Sequence, residues 1–226
     1  MLRAELHTHS SLSHDGRDPV ELLLEQAQAI GLDALAVTDH DQIDASLEMA
    51  ELAPEYDLIG IPGIEVTTMD GHVIGLGVEE KIPAGRTFVR TASAIHDAGG
   101  IVVIPHPFQS SRSGVLTYID AAPVIEHADA IEVYNSRLLT GRSNRKANHF
   151  ATKHGMSKTA GSDAHICEMI GQAVTYLETD DRSLQGILDA IAEGNTVIEG
   201  KRTPWRISFW QAGGGAKRRI RRRLPW

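Results

Sequence analysis

The chain has 226 residues, 42% of them hydrophobic, and a formal net charge of −8. That length and apolar content fit one sizeable packed core and exclude a disordered chain. The single cysteine, Cys167, excludes an intrachain disulfide and a thiolate-rich zinc site, and no apolar run reaches the roughly 18 residues of a membrane span.

Arg3 and Glu5 interrupt the first apolar stretch, so no signal peptide is expected and a cytoplasmic protein is the simplest reading. "AELH" (4–7) reads as a short strand. A helix is expected over 19–31, with Asp18 as its N-cap, Pro19 in the first turn and Gly31 as its stop. A strand at 33–38 and a helix at 44–52 follow. Strands at 57–66 and 71–78 precede a helix at 87–99 and a buried strand at 100–105. Further strands are expected at 129–135, 157–161 and 173–178, with helices over 141–154 and 183–193 between them. Strands alternating with helices imply parallel βα units.

The chemistry-bearing residues gather at strand ends. His7 and His9 close the first strand, two apart and therefore on one side of it. Asp39 and His40 follow "DALAVT", Glu65 ends "LIGIPGIE", His106 follows "GIVVIP", and Asp163 and His165 follow "SKTAGS". In parallel βα folds these ends converge on one face and build the site. Isolated histidines (His96, His127, His149, His154) read as surface residues, and Asp41 and Asp44 as turn or cap residues. With Asp15 and His72, the candidate ligands are His7, His9, Asp15, His40, Glu65, His72, His106, Asp163 and His165. Imidazole and carboxylate without sulfur suit Zn, Mn or Fe, and nine ligands suit two or three ions.

"HTHSSLSHDG", "AVTDHD", "GIEV", "IPHPF" and "GSDAH" occur in that order within residues 4–178, and together resemble the motifs of the PHP (polymerase and histidinol phosphatase) superfamily. The resemblance implies an α/β fold, a distorted seven-stranded (β/α)7 barrel with a multinuclear metal centre at the strand C-termini. It implies His7, His9, Glu65 and Asp163 at a first ion, Glu65 bridging to a second held by His72 and His106, and Asp15, His40 and His165 at a third. Asp15 stands where some relatives have His, nearer the nucleotide and oligonucleotide phosphoesterases than the histidinol phosphatases. The function implied is hydrolysis of phosphate esters by hydroxide generated at the metals, with nucleotides or short oligonucleotides as substrates. Glu65 and His40 act in that chemistry, and Asp39 orients His40 or accepts a proton. A histidinol-phosphatase-like small-molecule phosphatase, or a non-catalytic metal-binding module recruiting nucleic acid or a partner, is the alternative.

Arg112 and Arg137, with Asn135 beside the latter, are the candidates to hold substrate phosphate. Charge divides the chain at about residue 199: residues 1–199 carry 13 basic and 30 acidic residues, whereas 200–226 carry nine basic residues and no acid. A barrel domain over 1–199 and a basic extension over 200–226 are expected, with "AGGGA" (212–216) as a hinge. "KRRIRRR" (217–223) reads as a nucleic-acid contact, as a dock for the acidic body of a neighbour, or as a solvated disordered end. Trp226 could stack on bases, while Trp205 and Trp210 read as packing residues.

Overall fold

A computed structural model of the chain describes residues 1–137 and 141–201. The expected hinge, the three tryptophans and the 217–223 basic run fall outside the described residues. The chain order is β1 (Leu2–Glu5), α1 (Val20–Ala29), β2 (Ala34–Val37), α2 (Asp44–Leu52), β3 (Ile59–Thr68), β4 (Gly71–Leu76), α3 (Phe88–Asp97) and β5 (Ile101–Ile104). It continues with α4 (Ala121–His127), β6 (Ala130–Asn135), α5 (Arg142–His154), β7 (Ser157–Gly161), β8 (Ala173–Leu177), α6 (Leu184–Ala192) and β9 (Thr196–Gly200). Among the described residues no helix is long and apolar enough to cross a membrane.

The strands form one mixed sheet in the order β7-β6-β5-β4-β3-β2-β1-β8-β9. This corrects the expected (β/α)7 barrel: the α/β sheet is barrel-like, but it has nine strands and six α-helices among the described residues. Antiparallel pairs lie on both sides of β4 and of β8. The cause at β4 is the connection, since only Met69 and Asp70 separate it from β3 and leave no room for a crossover helix. Gly71 takes φ +116° there, and Thr68 Oγ1 donates to the Gly71 carbonyl at 2.6 Å.

The sheet nearly closes on itself in two ways. At the site end Thr8 bridges Ala164 in parallel, with the His9 N–H donating to the Ala164 carbonyl at 2.8 Å. At the other end the β8–β9 pair is inserted, and side chains complete the seam. Thr175 Oγ1 accepts from the Ala160 N–H at 2.9 Å and donates to the Ala160 carbonyl at 3.1 Å. Thr196 Oγ1 donates to the Lys158 carbonyl at 2.7 Å. Away from the histidines, α6 adds Ile187, Leu188 and Ile191 to a buried cluster with Leu2, Ile61, Leu76 and Val103. Apolar burial at that end leaves the strand C-termini as the open face.

Asp18 does not cap α1. Pro19 occupies the N-cap position, and the Asp18 carboxylate accepts from the Cys167 N–H at 2.7 Å, tying the helix start to the loop after β7. Gly31 does end that region at φ +69°.

Candidate metal centre

All nine expected ligand residues lie at the strand C-terminal face. His7 and His9 extend β1 and are 1% and 0% exposed, with ring centroids 5.2 Å apart. Between them Thr8 turns the other way and donates to the Ala36 carbonyl of β2. His40 follows β2 and forms an isolated bridge to Glu65 of β3. His72 lies on β4 opposite Thr67. His106 and Asp163 follow β5 and β7 at φ 32° and 51°. Non-glycine residues hold such left-handed backbone where surrounding structure enforces it, which is characteristic of functional sites.

Glu65 is the hub. Its Oε2 lies 3.2 Å from His7 Nε2, 3.3 Å from His9 Nε2 and 3.7 Å from His40 Nδ1. Its Oε1 lies 2.9 Å from His72 Nδ1 and 3.3 Å from His106 Nε2. The two oxygens of one buried carboxylate thus face two different sets of imidazoles. A further group forms around Asp15, whose Oδ2 lies 2.6 Å from His165 Nε2 and 3.7 Å from His40 Nε2. Asp163 Oδ1 is 3.3 Å from His165 Nδ1 and 3.8 Å from His9 Nε2.

These residues suit divalent cations. Both ring nitrogens of His9, Nδ1 of His40, His72 and His106, and Glu65 Oε1 are buried without a hydrogen-bond partner. The short His72–Glu65 and His9–Glu65 approaches are not aligned as hydrogen bonds. An orphaned buried polar atom costs about 1–3 kcal/mol, so a cluster of six is not a bare structural solution. Several trios, including His7–Glu65–His106, His7–His9–Asp163 and His9–Asp15–His165, bring their ligand atoms within 4.8 Å of one another.

The electrostatics divide the metal-free cluster: against burial, Glu132 and Glu65 raise His7 and Glu65 raises His72, whereas His9, His40, His165 and the carboxylates shift toward their ligand forms. Burial pushes the imidazolium form of His40 down to about 4, and burial also lowers His9 and His165, so these rings are neutral. Burial opposes ionisation of Glu65 and Asp163, but His40 and His7 for the first, and Arg112 and Arg137 for the second, outweigh it and hold both well below the usual carboxylate range. Asp15 is likewise lowered, against burial, by His165.

Arg112, Asn135 and Arg137 converge on Asp163. The Arg112 guanidinium donates to Asp163 Oδ2, and Arg137 donates to Asp163 Oδ1 at 3.0 Å and approaches His165 Nε2 at 2.8 Å. Asn135 Nδ2 donates to Glu132 Oε2 at 3.0 Å and to Asp163 Oδ2 at 3.3 Å. Asp39 departs from its expected role. Its carboxylate accepts from the Ser10 N–H and the Ser10 hydroxyl, so it fixes the His9–Ser10 turn instead of orienting His40.

Two residues escaped the sequence reading. Glu132 of β6 is 3% exposed; its Oε1 takes His7 Nδ1 at 2.9 Å and its Oε2 accepts the His106 N–H at 2.8 Å. A proton on His7 Nδ1, donated to Glu132, leaves the Nε2 lone pair directed at Glu65. The signal was present as a lone acid inside the buried strand "AIEVYN". Gly161 makes room for this pair, since a Cβ there would lie 2.5 Å from both Glu132 Oε1 and His7 Cβ. The second is His14, exposed, with its ring centroid 4.9 Å from that of His40 and its ligand atom grouped with Asp15 and His40.

The model of the PHP-associated family (PHP_C) matches residues 141–196. A protein of Methanocaldococcus jannaschii is 32% identical over 117 residues, which are 47% of this chain and 68% of that protein. A two-domain protein from Bacteroides vulgatus, containing a predicted PHP-like metal-dependent phosphoesterase, has the same fold with TM-score 0.76 at 20% identity, over 88% of this chain and 65% of that one. Residues 141–196 thus match the PHP-associated family, and the fold is shared with a PHP-like protein. The chain also shares its fold with a lesion-specific endonuclease of Pyrococcus furiosus, with TM-score 0.66 at 16% identity over 87% of this chain and 57% of that one. An 86-residue stretch, 35% of this chain, is 41% identical to part of the phosphoribosyl 1,2-cyclic phosphate 1,2-diphosphodiesterase of Eggerthella lenta, covering 32% of that enzyme. The chain therefore spans less than two thirds of each of these last three proteins.

Proposed function

We propose that this chain is a metal-dependent phosphoesterase acting on nucleotides or short oligonucleotides. The observation that carries the reading is Glu65, a buried carboxylate with one oxygen toward His7, His9 and His40 and the other toward His72 and His106. A cluster built for one structural ion needs about four ligands and no such divided carboxylate. His7, His9, Glu65 and Asp163 would hold a first ion, Glu65, His72 and His106 a second, and Asp15, His40 and His165 a third. Two or three Zn, Mn or Fe ions suit these nitrogen and oxygen donors. The phosphodiesterase and endonuclease names of the similar proteins agree with phosphate-ester chemistry.

Divalent cations bound by these residues would lower the pKa of water and offset negative charge on phosphoryl oxygens. The chain's own residues do the rest. Glu132 holds His7 with Nε2 toward the site and anchors the His106 backbone. Ser10 and Asp39 fix the turn that carries His9. Arg112, Arg137 and Asn135 lie beside Asp163, where their N–H groups would meet the equatorial oxygens of a phosphoryl group. Glu65→Gln keeps the shape and removes the charge. We expect it to abolish hydrolysis of a chromogenic phosphate ester and to lower bound metal, with an unchanged circular dichroism spectrum. Wild-type turnover in that variant would overturn the bridging role.

A further inference from the structure

We propose that the exposed basic face of α5 is a docking track for the phosphate backbone of a single-stranded nucleic acid whose reacting phosphate sits at the metal centre. The inference rests on the phosphoesterase reading and names the substrate's reach beyond the reacting group. Residues 133–162 contain six Arg or Lys and no acid, although residues 1–199 hold 13 basic residues against 30 acidic ones. Nearly half of the body's cations therefore lie in one acid-free segment. A polyanion is repelled by most of this surface and attracted here.

The fold puts these charges in line. Arg142, Arg145, Lys146, His149 and Lys153 are spaced i, i+3, i+4, i+7 and i+11, one stripe of a helix about 16 Å long at 1.5 Å per residue. All five are exposed, while Ala147, Phe150 and Ala151 face the core. Among the described residues none of the four Arg and Lys side chains has a carboxylate partner. The helix that carries the stripe is tied to the site at its first turn. Asn144 Oδ1 accepts the Asn135 N–H at 3.2 Å and Asn144 Nδ2 donates to the Asn135 carbonyl at 3.1 Å, so the first turn of α5 is pinned to the residue that touches Asp163. Arg112 and Arg137 continue the positive charge inward to Asp163. A mononucleotide or sugar phosphate bound at the metals would leave this stripe unused, whereas a strand carries further phosphates along it.

The test uses the full chain, with chelator present so that nothing is cut, and a fluorescent single-stranded oligonucleotide followed by anisotropy across a salt series. Arg142→Gln/Arg145→Gln/Lys146→Gln should weaken binding at least about tenfold at low salt and flatten the log–log salt slope by about 2, at about 0.7 per single-strand phosphate contact. Arg86→Gln/Arg90→Gln removes charge from the exposed surface elsewhere and should change neither. With metal restored, the triple variant should hydrolyse a small chromogenic ester at the wild-type rate. The proposal is overturned by absent oligonucleotide binding, by equal losses in the two variants, or by polyglutamate competing as well as the oligonucleotide, which would give the face to an acidic protein. No ester hydrolysis by the wild-type chain would instead overturn the phosphoesterase reading, and the anisotropy comparison would still decide the track.

Discussion

Glu132 supports the centre from behind His7, one of the imidazoles around Glu65. Because it holds His7 through Nδ1 and the His106 backbone through its second oxygen, its loss frees one ligand ring and loosens another turn. Groups that orient metal-binding histidines change affinity by about 10–100-fold when removed. Glu132→Ala should weaken binding of the first metal equivalents by that factor in calorimetric titration; affinity equal to wild type would remove Glu132 from the site's support. Glu5 makes a different prediction. It is fully buried and accepts from the Ser162, Gly171 and His7 N–H groups, yet burial raises its carboxyl to about 7. A folded-state value above the unfolded 4.5 means that its stability contribution is complete below pH 4.5 and is lost as pH rises through 7. At 1.36 kcal/mol per unit the loss is about 3 kcal/mol for the metal-free protein. Urea unfolding at pH 5 and pH 8 should show this decline in the wild type and a flatter profile in Glu5→Gln, and the same decline in both would contradict it.

The seam between β7 and β8 is the element contact most exposed to a single substitution. Thr175 is fully buried, and its hydroxyl alone satisfies the backbone of Ala160 on that side. Thr175→Val keeps the volume and orphans those groups, so it should cost about 1–3 kcal/mol and lower the melting temperature by several degrees. A melting temperature within one degree of wild type would show that the barrel does not depend on this closure. Much of the fold was legible: α2 and β7 run over the expected 44–52 and 157–161, and the eleven other expected strands and helices match to within two residues. The elements that were not legible have physical reasons. β9 alternates half-buried and exposed residues over only five positions. α4 is seven residues long with Pro123 in its first turn, where the missing N–H costs nothing but the sequence reads as a break. Hydrophobicity does not encode strand direction, so the reversal at β4 was carried only by the Asp70–Gly71 turn signal. The members of the cluster were legible because strand-end histidines have no packing rationale. Glu132 was hidden because an acid inside a buried strand gains its meaning only from the ring it meets across the barrel.

The molecule as a whole combines an acidic body, a cluster of imidazoles around ionised carboxylates, and one acid-free basic segment beside it. Apolar packing at one end of the barrel and polar atoms without partners at the other make sense together if cations complete the structure. Removing them should therefore affect folding stability as well as chemistry, because a ligand bound only by the folded state stabilises it. The most direct measurement strips the full chain with chelator, verifies the loss by elemental analysis, and follows chromogenic phosphate-ester turnover against added equivalents of Mn²⁺. The account predicts no turnover in the stripped protein and a rise that levels off only after two or three equivalents are bound. Turnover undiminished by stripping, or a chain that binds no Mn²⁺ or Zn²⁺, would contradict it.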